Sequence, residues 1–209
     1  SAMTRTVPKV GIIALGMTML LISGEFDLSV VSTYFFYQAA AAALLTHYGL
    51  HPIPIIIAVL GLGVVIGLAN GFVVTKLKIS SLIATFGTWY VVWGITFGIS
   101  SGVSIRFPLA EQGYQYIRDF LYDTVVVNIS GIELRVHFIW MILIAIVLYV
   151  LLEHTRFGNS ILSTGSNERA AQMMGINPDW VKTKCFIIVQ VLTALVALIF
   201  VTRYNQYTG

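Results

Sequence analysis

Charge is what this sequence has least of: Asp, Glu, Lys and Arg together make up 10% of its 209 residues. A water-soluble domain carries about 25% charged residues, so an ordinary soluble fold is excluded. Cysteine is almost missing as well, and a lone Cys185 offers neither a disulfide framework nor a thiolate metal cluster. The formal net charge of +3 is small and scattered, which excludes the basic face that nucleic acid binding needs. No Gly-x-x-x-x-Gly-Lys-Ser/Thr run is present to cradle the phosphates of a nucleotide. The first residues lack the layout of a signal peptide, and Ser1-Ala2-Met3 reads as a remnant ahead of a methionine, so the chain is expected to be a piece of something longer.

What is present is apolar. Hydrophobic residues make up 57% of the chain and the mean hydropathy is +0.87, values that belong to an integral membrane protein. Apolar runs near the length needed to span a bilayer occur at about 10–24, 28–46, 53–75, 82–100, 137–153 and 183–202. The expected fold is therefore all-α and polytopic, with six transmembrane helices. No polar section is large enough for a second domain, so residues 1–209 read as a single transmembrane domain.

The longest polar interruption with an internal design runs from about Glu153 to Lys184, its loop placed at 154–184. Asn167 is a good N-cap, Glu168 suits the positive end of a helix dipole, and Gly175 can take the left-handed conformation that stops a helix about two turns later. Asn177 then caps another helix, with Pro178 at its first position and Asp179 in its first turn. Ala170 and Ala171 give the short helix a flat face for close packing against a partner.

At these residues the chain resembles the permease subunits of bacterial ATP-binding-cassette importers, in the ribose/simple-sugar class. Such permeases carry a cytoplasmic loop with an acidic residue, two alanines and a glycine four residues after the second, here Glu168, Ala170, Ala171 and Gly175. Arg169 stands between the glutamate and the alanines, where the broader signature runs Glu-Ala-Ala. The block from Thr155 to Ile176 is similar to the class's Arg-Phe-Gly, Gly-Gly-Asn, Ala-Ala and Gly-Ile series, with Gly165-Ser166-Asn167 as its middle element. The resemblance implies that Asn167, Glu168, Arg169, Ala170, Ala171 and Gly175 form a loop that docks on an ATPase.

Upstream, Gly24-Glu25-Phe26-Asp27-Leu28-Ser29-Val30 puts two carboxylates in an otherwise uncharged stretch. Carboxylates at membrane depth mark a pathway, a pairing or a helix break. Asp27 either caps the next helix through that helix's backbone or faces a polar cavity as a pathway residue. A proton relay lacks an acidic partner in any other span. Asp27-Leu28-Ser29-Val30 also resembles the class, with Val31 where its members usually have glycine.

Gly63, Gly67 and Gly71 recur every four residues in the third run, clearing one helix face for close approach of another helix. The stretch around Asn70 is similar to the class's Gly-x-x-Asn-Gly segment, and Ser81 to Thr88 to its Ser-Leu-Ile-x-Thr-x-Gly-Thr segment. Asn70, Thr85 and Thr88 are candidates to line a route. Trp89, Tyr90, Trp93 and Phe97 follow; Trp89 and its neighbours could stack on a sugar ring or simply pack in the membrane. His47 and His51 have metal-ligand spacing for a helix, but Gly49 and Pro52 break that helix, so the segment reads as a connection and no metal site is expected.

The other long polar section spans 101–136. Tyr114, Ile117 and Leu121 share one helical face there, with Gln115, Arg118 and Asp119 elsewhere, which suggests a helix lying on the membrane surface. Lys76, Lys78, Arg156, Arg169, Lys182 and Lys184 fall on one side of the membrane and Arg5, Lys9, Arg106, Arg118, Arg135 and Arg203 on the other, a tie that the positive-inside rule cannot break. The resemblance places the 154–184 loop in the cytoplasm and the 101–136 section outside. Its class has about ten spans, which implies one missing before Ser1 and about three after Gly209.

The function expected from the resemblance is that of a membrane-spanning subunit of an ATP-driven importer for a monosaccharide or similar small polar solute, in the bacterial inner membrane. It needs no cofactor of its own. Its implied partners are an ATP-binding subunit, a periplasmic substrate-binding protein, a second permease subunit as homodimer or heterodimer, the solute, and membrane lipid. Two other classes compete. An ion-coupled secondary transporter or channel would use Asp27 to bind the coupling ion. An intramembrane enzyme would need a serine–histidine pair at depth, yet His47, His51, His137 and His154 all sit near span ends.

Overall fold

The computed structural model describes residues 2–107, 114–123, 125–129, 132–204 and 206–207, with backbone alone at 2–5, 106, 115, 118, 122–123, 125–129, 132–135, 203–204 and 206–207. Six long helices alternate in direction: α1 (Ala2–Ile22), α2 (Val30–Thr46), α3 (Pro52–Thr75), α4 (Ser81–Ser100), α6 (Val136–His154) and α9 (Pro178–Tyr204). They coincide with the six apolar runs. Four of them are long and apolar enough to cross a bilayer, while the apolar parts of α1 and α2, Thr6–Ile22 and Val30–Thr46, are shorter. A stretch of 17 residues such as α2 still rises about 25 Å, near the lower limit for a span. The chain is a polytopic helical membrane protein.

Helix α9 is the centre of the bundle. It packs against α1, α2 and α3, and 72% of its spanning stretch is buried, against 11% for α6. The glycine face of α3 explains its closest contact: a methyl group on Gly67 would lie 2.6 Å from the Ile187 Cα, and one on Gly71 2.9 Å from that of Thr183. No side chain larger than hydrogen fits there, so the two backbones meet directly. Exposed Ile139, Ile142, Leu143, Ile146 and Val147 give α6 a face suited to lipid tails.

The connections 23–29, 76–80 and 155–177 share one end of the bundle. The 155–177 connection holds two helices, α7 (Arg156–Ser166) and α8 (Glu168–Met173). Helix α7 was not expected, because its glycines and hydroxyl residues have weak helix propensity. Tertiary packing selects it: Ile161 and Thr164 are buried, Thr155 Oγ1 accepts from the Gly158 amide at 3.2 Å, and Gly158 and Gly165 lie against the carbonyls of Leu152 and Ile22. Helix α9 already begins at Pro178, so the last part of the 154–184 section is helix rather than loop.

The opposite end carries the 101–135 section. Four short strands accompany the helices among the described residues: β1 (Ile105–Arg106) pairs with β4 (Gln206–Tyr207), and β2 (Val125–Ile129) with β3 (Ile132–Arg135), both antiparallel. The β-branched run beginning at Val125 favours that pairing. The expected surface helix is a short α5 (Gln115–Arg118) continued by a π-helical turn, Asp119–Asp123. Ile117 and Leu121 are buried against the bundle, and Tyr114 stacks edge-on with His51. Arg5, Arg106, Arg118, Arg135 and Arg203, five of the six basic residues on that side of the charge tie, lie outside the described side chains.

Candidate functional site

The residues between α1 and α2 are the least regular part of the bundle interior. Ser23, Asp27 and Ser29 are all buried, so the broken backbone must find partners inside the protein. Helix α4 supplies them: Ser81 Oγ accepts from the Phe26 amide at 3.3 Å and Thr85 Oγ1 from the Leu28 amide at 3.0 Å. Thr85, expected to line a route, is thus a backbone acceptor.

Around Asp27 the 23–29 segment, α3 and α9 converge on one carboxylate. Its Oδ1 accepts from the Ser29 amide at 2.8 Å and from Ser29 Oγ at 2.6 Å. Its Oδ2 accepts from Gln190 Nε2 at 2.8 Å and from Asn70 Nδ2 at 3.3 Å. The same two amides also donate to Ser29 Oγ, at 3.0 Å and 3.1 Å. Beyond them, Tyr37 donates to Gln190 Oε1 at 2.8 Å and Thr88 donates to Asn70 Oδ1 at 2.6 Å. An ionised carboxylate offers about four acceptor positions, and here neutral donors fill them. The bond to the Ser29 amide closes an Asx turn ahead of α2; the N-cap of that helix is Ser29, which makes no side-chain cap bond, so the cap expected of Asp27 is not formed. The bonds to Asn70 and Gln190 make Asp27 a tie between α2, α3 and α9.

Of the expected route residues, the structure therefore brings Asp27, Asn70, Thr85 and Thr88 together, and leaves Trp89 outside, edge-on to Phe86 on the same helix. Sequence reasoning missed Ser29, Tyr37 and Gln190. Gln190 could have been found, since it is an amide inside the apolar run from Ile187 to Leu192. The other aromatics part company from this hub: Trp93 and Phe97 line a recess of about 250 Å³ with Thr96, Ser100 and Ser104 at the opposite end of α4.

At the end shared by 23–29, 76–80 and 155–177, ion pairs replace neutral bonds. Asp179 receives Lys76 at 3.1 Å and Lys78 at 3.0 Å, fastening the α3–α4 connection to the start of α9. Lys182, one turn on, lies 2.9 Å from Glu25 and 2.9 Å from Glu168. Glu25, Lys78, Glu168, Asp179 and Lys182 line a polar recess of about 210 Å³.

The short helix α8 has the caps its sequence promised. Asn167 accepts from the Ala170 amide at 3.1 Å, Gly175 has φ +81°, and Asn177 accepts from the Trp180 amide at 3.3 Å. The alanine pair, however, is split. Ala171 is fully buried in the chain's own fold, whereas Ala170, Arg169, Met173 and Met174 are exposed. The flat face offered outward is therefore Arg169, Ala170 and Met173, and Glu168 is turned toward Lys182.

A family model described as "Branched-chain amino acid transport system / permease component" matches residues 1–208. Among curated proteins, the xylose/arabinose import permease protein XylH of Sulfolobus acidocaldarius is 36% identical over 197 residues, covering 91% of this chain and 51% of that protein. The ribose import permease protein RbsC of Bacillus subtilis is 31% identical over 202 residues, covering 97% and 60%. The inner membrane ABC transporter permease protein YjfF of Escherichia coli is 28% identical over 197 residues, covering 94% and 57%. The chain thus spans between half and three-fifths of the length of these relatives. No solved structure matches.

Proposed function

This chain belongs to the family of branched-chain amino acid transport system permease components, and from that membership we propose that it is part of the membrane-spanning subunit of an ATP-binding-cassette importer for a monosaccharide or similar small polar solute. The observation that carries the reading is the likeness, over nine-tenths of the chain, to permeases whose names specify import of xylose, arabinose and ribose. The family is one of transporter permeases rather than enzymes. A separate ATP-binding subunit supplies hydrolysis, a second permease subunit completes the translocation route, and a substrate-binding protein delivers the solute.

The end formed by 23–29, 76–80 and 155–177 faces the cytoplasm, and the end with 101–135 meets the substrate-binding protein. Helix α8 is the docking element, with Arg169, Ala170 and Met173 directed at the ATPase. Closure of two ATPases around ATP displaces α8 and shifts the bundle between states that open to opposite sides. The ion-coupled alternative is disfavoured because the acceptor positions of Asp27 are occupied by its own chain, leaving no room for a coupling ion.

Co-purification tests the reading. The full-length permease is expressed with the ATPase encoded beside it, as wild type and with Arg169→Glu or Met173→Glu. Wild type is expected to retain the ATPase, and both variants to remain in the membrane but lose it. If wild type brings down no ATPase, the importer reading is wrong; if the variants bind as well as wild type, α8 is only a connector.

A further inference from the structure

We propose that Lys182 is a positioning residue that makes α8, the 23–29 segment and α9 move as one body, so that a displacement of α8 reaches the Asp27 hub. The inference rests on the reading of α8 as the docking element. It starts from an ammonium held 2.9 Å from each of two carboxylates that belong to different elements, Glu25 and Glu168. Only 14% of the Lys182 side chain and 13% of that of Glu25 remain exposed. Parting Lys182 from Glu25 would leave two enclosed charges uncompensated, and that penalty resists relative movement; Glu168, with 39% of its side chain exposed, is the better hydrated of the two partners.

Two further contacts turn a bridge into a linkage. Glu25 precedes Asp27 by two residues, and Asp27 is bonded to Gln190, which lies on the same helix as Lys182. The start of the 23–29 segment is therefore stapled to α9 at two levels, one ionic near the end of the bundle and one neutral deeper inside. Glu168 then brings α8 into the same closed ring. Asp179, on the preceding turn of α9, joins the α3–α4 connection to it through Lys76 and Lys78. A side chain that merely filled space would hold these elements in place at rest. Transmission needs the positive charge, because only the charge engages both carboxylates at once.

The experiment is hydrogen exchange on the full-length permease bound to its ATPase, with and without a non-hydrolysable ATP analogue. In wild type, nucleotide is expected to change exchange about tenfold both in α8 and in the 23–29 segment, the size of a typical coupling between sites. In Lys182→Met, the α8 response is expected to persist while that of 23–29 disappears, and Lys182→Arg should restore it. Glu25→Gln, which keeps the side chain's shape, should uncouple 23–29 in the same way, so the inference does not depend on one variant folding. It is overturned if 23–29 responds in Lys182→Met or Glu25→Gln as in wild type, if it is silent in wild type, or if the variants abolish the α8 response itself. Failure of wild type to bind the ATPase at all is a separate result that removes the importer reading and this inference with it.

Discussion

Two clusters hold α9 to its neighbours, and they use opposite chemistry. At the hub, one carboxylate is surrounded by neutral donors: Ser29, Asn70 and Gln190, with Tyr37 and Thr88 behind them, four of these side chains buried and Thr88 half-buried. At the bundle's end, Glu25, Glu168, Lys182, Asp179, Lys76 and Lys78 pair charge with charge, and the two outer lysines are 59% and 67% exposed. Depth accounts for the difference. Neutral amides and hydroxyls cost far less than full charges to remove from water and recover that cost when hydrogen-bonded, so several can satisfy one buried carboxylate, whereas a row of full charges is tolerable only where water still reaches some of them. The hub should therefore govern stability and ignore salt, while the ionic end should govern the relative placement of loops and respond to salt.

The largest effect that could break this contrast is at Asp27. Replacing it with alanine removes the shared acceptor of Ser29, Asn70 and Gln190, and is expected to cost about 3–5 kcal/mol, since several buried donors are stranded at about 1–3 kcal/mol each. The full-length permease in detergent should show a sharply lower Tm, with the same deficit at low and high salt. A Tm within two or three degrees of wild type would mean the hub does not organise the bundle.

Gln190→Leu should come next. It leaves Tyr37 without its acceptor and one side of Asp27 bare, for a loss of about 2–3 kcal/mol in the same melting assay. If Asp27→Ala has already been made, adding Gln190→Leu should cost clearly less than it does alone, because both act through one network.

The smallest effect belongs to Asp179→Asn. Its lysine partners are largely solvated, so the loss should stay within about 1 kcal/mol and vanish as the ionic strength rises toward 1 M, where the screening length is about 3 Å. A loss that persists in high salt would show that the end of the bundle is held as the hub is, and the distinction between the clusters would fail.

Much of the frame could be read from residue order because it depends on local or periodic signals. Six apolar runs became six helices, Asn167 and Asn177 became caps, Gly175 took its left-handed turn, and the glycines at 63, 67 and 71 met α9. Helix α7 escaped, since it is stabilised by burial of Ile161 and by the close seats of Gly158 and Gly165 rather than by propensity. The hub was half visible: Asp27, Asn70, Thr85 and Thr88 stood out as polar groups in apolar runs, yet what they do depends on Gln190 and Tyr37, which no local pattern connects to them. The alanine pair was misread for a similar reason. Which face of a six-residue helix turns inward is decided by α7 and α9, and they bury Ala171 while leaving Ala170 outside.

The spacing of the hub along the chain also sets an order of events during synthesis. Asp27 and Gln190 are separated by 163 residues. At roughly 5–20 residues per second, a ribosome delivers Gln190 about 8–33 s after Asp27. Throughout that interval the carboxylate has Ser29, and later Asn70, but not Gln190. The donor set of Asp27 is therefore completed only once α9 has been made, by the same helix that packs against α1, α2 and α3.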